Sequence, residues 1–190
     1  MPRWEPDARE RLVASALQLF TEQGYDNTTV AEIANRAGLT KSTFFRHFTD
    51  KREVLAAGQE TLSRLLAEGI TRAPEDATPL GAVAAGLQNA ADAMTPFNRE
   101  LGPRLAAVIA TSAELQERDA LKRVGMAAAM TAALKSRGFA EPMAITAAEL
   151  GVLAFKESFA QWIAPNNERE LGDLAQEYLD RLRVAIAQLD

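Results

Sequence analysis

The apolar residues of this chain recur every three to four positions along nearly its whole length, and they never alternate convincingly with polar ones. Leu12, Val13, Ala16, Leu19 and Phe20 set the period, and Val30, Ile33, Ala34 and Ala37 repeat it. Val83, Leu87, Ala90 and Met94 repeat it again. Such spacing lines one face of a helix, whereas a half-buried strand needs a period of two. The predicted fold class is therefore all-α. Of the 190 residues 47% are apolar and 25% charged, a mixture that closes a core.

Punctuation divides the period into nine predicted helices. The first runs from about Asp7 to Gln23 and stops at Gly24. The second opens on the capping box Thr29-x-x-Glu32 and closes at Gly38. A very short third helix follows from Thr40 to His47. Asp50-x-x-Glu53 opens a fourth that reaches about Thr71. Beyond the loop of residues 72–79, Thr78-Pro79 starts the fifth, and Thr95-Pro96 with Gly102-Pro103 predicts a broken sixth. The seventh spans about Ser112 to Arg137 and stops at Gly138, and the eighth runs from Pro142 to before Pro165. Asn167-x-x-Glu170 is the expected cap of the last. No internal repeat is present. The expected organisation is an N-terminal three-helix bundle with a helix-turn-helix at about 29–48, in a domain of residues 8–68, followed by a helical domain of residues 69–190.

Composition excludes several kinds of chemistry. There is no cysteine and a single histidine, His47, so thiolate chemistry, a histidine-built metal site and a catalytic triad are not expected. No apolar run approaches the ~18 residues of a membrane span, and Met1 to Asp7 lack the apolar region of a signal peptide. The expectation is a cytoplasmic protein that is not an enzyme and holds no metal or cofactor. The net charge is −5, yet its distribution is uneven. Residues 1–55 carry eight basic and eight acidic side chains, and between positions 36 and 52 Arg36, Lys41, Arg46, Lys51 and Arg52 face only Asp50. A small basic patch thus sits on an acidic body.

Inside that patch stands AGLTKSTFFRHFTDK, residues 37–51, with three of the eight phenylalanines of the chain. Two helices joined by a short turn containing Gly form a helix-turn-helix, whose second helix enters the major groove. On a helix over 40–48, Phe44 and Phe48 share a face and anchor it. Ser42, Thr43 and Arg46 point the other way, with Lys41, Phe45 and His47 on the flanks. Phe45 lies about 100° round from Phe44. It is either a peripheral core ring or a ring at the groove wall, against sugar-phosphate or a thymine methyl. Thr40, Ser42 and Thr43 are caps or groove contacts, and Lys41 and Arg46, ordinary surface charges when taken alone, become phosphate or guanine ligands together with the turn geometry. Lys51 and Arg52 begin a helix where the macrodipole is already positive, which suits an arriving phosphate.

These residues resemble the tetracycline-repressor (TetR) family of bacterial transcription regulators. The resemblance is carried by Thr29-Val30-Ala31-Glu32-Ile33-Ala34, by Ala37-Gly38-Leu39, and by Ser42-Thr43-Phe44-Phe45-Arg46-His47-Phe48 with Lys51. It covers about residues 9–56. It implies a homodimer whose first three helices bind double-stranded operator DNA and whose later helices hold a small-molecule inducer. It places Thr29 near a phosphate, turns Thr40, Lys41, Ser42 and Thr43 to the groove, makes His47 a phosphate-contacting histidine, and makes Lys51 the lysine at the start of the fourth helix. Phe45 takes the position usually held by a tyrosine, so one hydroxyl donor to the backbone is missing. Arg3 is an expected, weaker, N-terminal arm.

The rear helices carry two further expectations. Residues 142–163 are apolar nearly all round, with Ile145, Ala148, Val152, Phe155, Phe159 and Trp162 on one side and Leu150, Leu153 and Ala154 on another. Such a helix is buried on more than one face, and a twofold four-helix interface from residues 142–190 is expected. Met94, Phe97, Met126, Met130, Phe155, Phe159 and Trp162 are either plain core or walls of a pocket for an apolar or aromatic effector. Read as a whole, the sequence predicts a ligand-responsive repressor binding a palindromic operator. An activator of the same build, or a helical interaction module without DNA binding, is the alternative.

Overall fold

The computed structural model of the chain describes residues 7–55, 59–111 and 113–188. Every regular element among them is an α-helix: α1 Ala8–Gln23, α2 Val30–Arg36, α3 Lys41–His47, α4 Lys51–Leu55, α5 Gln59–Arg72, α6 Pro79–Asp92, α7 Pro96–Ala110, α8 Ala113–Ser136, α9 Glu141–Trp162 and α10 Leu171–Ile186. The predicted helix from Asp50 to Thr71 corresponds to α4 and α5, and its passage through 56–58 lies outside the described residues. Ser112 and the proposed arm residue Arg3 lie outside them too.

Two compact units divide the chain, one holding residues up to 55 with those from 100 to 119, the other holding 59–99 and 120–188. In the first, α1 is crossed by α2, α3 and α4. Their shared core is Leu12, Ala16, Leu17, Phe20, Ile33, Ala34, Phe44, Phe48 and Val54, all at most 4% exposed. In the second, α5 packs on α6, and α6, α9 and α10 pack on one another. Leu66, Ile70, Val83, Leu87, Met126, Met130, Leu134, Ala148 and Leu179 form the centre of that cluster.

Caps set the helix starts much as the sequence predicts. Asp7 accepts from the Glu10 N–H, Thr78 from that of Gly81 and Thr40 from that of Thr43. Thr29 and Glu32 form a complete capping box, which satisfies two N–H groups the helix itself leaves unpaired. The box expected at Asn167 does not form. Glu170 is the N-cap of α10 and makes no side-chain cap bond. The Asn167 side chain instead donates to the carbonyls of Trp162, at 3.3 Å, and Arg169, at 2.8 Å. Local alternatives of this kind are what makes Asn a turn residue as often as a cap.

The break expected at Gly102-Pro103 is also absent. Pro103 sits inside a continuous α7, although an interior proline removes a hydrogen bond and crowds the preceding turn. Pro103 is exposed, while Leu101, Gly102 and Val108 are buried. Burial of the opposite face holds the helix across the defect.

Two glycine sites explain close features of the frame. Where α5 crosses α6, a Cβ on Gly69 would lie 2.6 Å from the Ala85 carbonyl oxygen, and one on Gly86 would lie 2.7 Å from that of Leu66. The two backbones touch because neither glycine carries a side chain. At the turn between α2 and α3, Gly38 has φ +66°. Its N–H bonds the Asn35 carbonyl at 2.9 Å and that of Leu39 bonds Ala34 at 2.8 Å, closing α2 with a left-handed residue.

Gly38→Ala should therefore cost about 1–2 kcal/mol of stability, from the left-handed conformation forced on an L-residue. Its Cβ would also stand 3.0 Å from the Arg11 guanidinium. Gly38→Asn should cost less, because Asn tolerates this region better. Urea unfolding of the two variants checks the order.

Candidate nucleic-acid interface

The seven residues of α3 divide cleanly by burial. Phe44 is fully buried and Phe48, just past the helix, is 2% exposed. Their rings lie 5.6 Å apart, and the Arg9 guanidinium covers Phe48 from α1, 5.4 Å from the ring centre. Phe45 is 57% exposed. It touches the bundle only at its edge, set at 83° to Phe44 with centres 5.5 Å apart. The third phenylalanine is thus not core. Lys41, Ser42 and Arg46 are exposed with it, and Thr43 and His47 are half-buried on the flanks.

Thr40 has a structural task that its exposure does not reveal. Its hydroxyl oxygen accepts from the Thr43 N–H at 3.1 Å and lies 3.0 Å from the Thr43 hydroxyl. Thr29 is likewise engaged, its backbone N–H and hydroxyl both donating to Glu32 at 2.8 and 2.7 Å. These two bonds, the hydroxyl's first, hold the Glu32 carboxyl below its ordinary value. The Nε2 of His47 is buried and has no partner among the described residues.

The basic patch is much smaller in three dimensions than in sequence. Arg36 makes a two-pronged pair with Glu22 on α1, at 3.1 and 2.9 Å. Arg52 pairs with Asp50 at 2.9 Å and approaches Glu114 to 3.7 Å. Lys51, expected to offer its ammonium outward, instead turns it onto the turn between α1 and α2. There Nζ donates to the carbonyls of Tyr25, Asp26 and Thr28 at 2.7, 3.2 and 3.0 Å. The ammonium has three N–H donors, and three carbonyls receive them. It also stands 4.4 Å from the centre of the Tyr25 ring, close enough for a cation–π contact.

Tyr25 itself is 6% exposed and its hydroxyl has no partner among the described residues. Burial, and after it the charges of Glu114 and Asp50, push its pKa up to about 12. Lys41 and Arg46 are left as the cations of the patch that pair with nothing among the described residues, and both stand on the exposed face of α3. The sequence reading missed the lysine clamp because the carbonyls it binds lie more than twenty residues away along the chain.

The seven-residue α3 thus has its rings beneath it, two cations without partners among the described residues and exposed hydroxyls above it, and a glycine turn behind it. The same segment is matched in known proteins. Residues 12–57 fit the family model described as bacterial regulatory proteins, tetR family.

Over those residues the chain is similar to the tetR family.

Curated relatives agree. The HTH-type transcriptional regulator TcmR of Streptomyces glaucescens is 36% identical over 75 residues, 40% of this chain and 33% of that protein. The HTH-type transcriptional regulator BetI of Stenotrophomonas maltophilia is 37% identical over 73 residues, 38% of this chain and 37% of that one. The chain thus matches only about a third of the length of either relative. Among solved structures, a TetR-family regulator from Syntrophomonas wolfei covers 94% of each chain at 16% identity with a TM-score of 0.61. The SmeT–triclosan complex covers 94% of this chain and 90% of its own at 21% identity, also with a TM-score of 0.61. At these identities the likeness extends to the fold of the rear helices and no further.

Because the Lys51 contacts are internal, their loss should be visible without DNA. Lys51→Met is expected to lower the urea-unfolding free energy by about 2 kcal/mol, leaving three carbonyls without their charged donor. A variant as stable as the parent protein would show that the clamp holds nothing.

Proposed function

We infer that the chain is a homodimeric, ligand-responsive transcription regulator, acting as a repressor on a palindromic operator, within the cytoplasm and without catalytic activity. The observation that carries this reading is the exposed face of α3, where Lys41, Ser42 and Arg46 stand clear of the bundle and Phe45 meets it only at the edge of Phe44. An interaction module without DNA binding leaves those four side chains unexplained. We assign DNA binding to residues 8–68 and ligand binding and dimerisation to residues 69–190. Lys41, Ser42 and Thr43 read base edges, and Phe45 lies against sugar and phosphate at the groove wall. Arg46, His47 and the start of α2 at Thr29 receive phosphates, and Thr40 sets the pitch at which α3 enters the groove. Lys51 serves by holding the Tyr25–Thr28 turn and by adding its charge to the start of α2.

Repression implies two conformers, one with its two recognition helices at the half-site spacing and one without. An effector that prefers the second draws the population towards it. Of the candidate wall residues, Phe155 and Trp162 are 8% and 5% exposed, while Met94, Phe97 and Phe159 are half-buried. Met126 and Met130 lie deeper. A Cβ on Gly151 would stand 2.4 Å from the Met130 methyl, so Met130 is packed flat against α9. We place the effector at the aromatic residues, with the two methionines behind them.

Dimerisation through residues 142–190 is supported by α9 and α10. Along α9 the outward row Ile145, Glu149, Leu153 and Lys156 is exposed at helical spacing, and on α10 Val184 and Ile186 are 61% and 40% exposed. Exposed apolar side chains interleaved with an acid and a base, which a twofold mate can pair, suit burial against a second copy. Light scattering should give a dimer at micromolar concentration, and Ile145→Asp with Leu153→Asp should shift it to monomer. A monomer from the unchanged chain would refute the interface.

Gel shifts with the DNA upstream of its own gene test the remainder. Arg46→Ala should weaken binding to all sequences alike and lessen the salt slope by about one. Lys41→Ala and Thr43→Ala should change sequence preference. Phe45→Tyr restores a donor at the backbone and should tighten binding about fivefold, the worth of one hydrogen bond of ~1 kcal/mol. Equal effects from all four substitutions would overturn these roles.

A further inference from the structure

At the C-terminal end of α9 the rear unit buries a hydrogen-bond donor that nothing receives. Trp162 is 5% exposed and its indole N–H has no acceptor among the described residues. Its ring closes a file of aromatics along the helix. Phe155 and Phe159 stack with centres 5.7 Å apart and planes 20° from parallel, and Phe159 meets Trp162 at 5.7 Å and 48°. Over the Trp162 ring, 5.8 Å from its centre, lies the guanidinium of Arg99. One Arg99 nitrogen donates to the Asn167 carbonyl, and the Asn167 side chain in turn donates to the Trp162 carbonyl at 3.3 Å. The loop after α9 is thereby laced onto Arg99, and the cation is fixed over the indole.

Buried indole N–H groups ordinarily find an acceptor. Ser158, one turn before, shares its one hydroxyl hydrogen between the Ala154 and Phe155 carbonyls at 2.6 and 3.1 Å, and its oxygen, still able to accept, does not receive the indole N–H. Aromatic faces, an unfilled donor and an adjacent cation match one ligand chemistry: a planar apolar body that ends in a negatively charged oxygen. We propose that the effector site accepts aromatic carboxylates, with the carboxylate oxygen on the Trp162 N–H, Arg99 as its counter-cation and the ring against Phe159. This rests on the reading of the aromatic file as the effector site, and it adds the charge and polarity of the ligand.

The test uses the whole protein with 15N-labelled tryptophan. The chain has two tryptophans, Trp4 and Trp162, and Trp4→Phe assigns the two indole resonances. Benzoate and 1-naphthoate are titrated alongside toluene and 1-methylnaphthalene. The expected result is a saturable downfield shift of the Trp162 N–H with the carboxylates, absent with the hydrocarbons. Equilibrium dialysis should show 1-naphthoate held about tenfold less tightly by Trp162→Phe, the lower end for a hydrogen bond to a charged group. Hydrocarbons bound as well as the carboxylates, with no loss in Trp162→Phe, would overturn the proposal and leave an apolar effector site standing. Binding of neither class near Trp162 would overturn both.

Discussion

A helix of seven residues has too few hydrogen bonds to be stable in water by itself, so α3 exists because Phe44 and Phe48 are buried beneath it. Those two rings fix its position and also its rotation. Once both face α1 and α2, geometry leaves Lys41, Ser42, Phe45 and Arg46 outward. The chemistry offered to a partner is the remainder after the core has taken its share. The left-handed Gly38 behind it and the Thr40 cap in front decide where the helix begins. The interface is thus specified by residues that never need to touch a ligand.

Electrostatics in the same unit follows a comparable division. Arg36 and Arg52 are held by carboxylates, and Lys51 is held by three carbonyls. An ammonium on the carbonyls of the α1–α2 turn stiffens the approach to Thr29, where the N–H groups opening α2 emerge. Surface pairs such as Arg36 with Glu22 contribute little each, but they withdraw charge from the patch. What is left is a narrow site with Lys41 and Arg46 on one short helix. That narrowness suits a protein of net charge −5, which has no general attraction for polyanions.

In the rear unit the contacts that matter are made by what is missing. Gly69 and Gly86 let α5 and α6 meet backbone to backbone, and Gly151 admits the Met130 methyl against α9. Close packing of this kind still leaves unused hydrogen-bonding capacity at the end of α9, as it does at the Arg137 Nε. Trp162 and Arg99 are each tied to the loop after α9, Trp162 through its carbonyl and Arg99 through its guanidinium, while the indole N–H is not.

The sequence by itself determined the all-α class, most helix limits and the inward and outward faces of α3, because each of these depends on residues within one or two turns of each other. Period, caps and a positive-φ glycine are local physics. The continuity of α7 through Pro103, the failure of the Asn167 box, the clamp on Lys51 and the orphan donor of Trp162 were decided only by the tertiary structure. Each depends on groups distant along the chain, or on burial that outweighs a local preference. A side chain shows in sequence which bonds it is able to make, and only the packed neighbours settle which of them it does make.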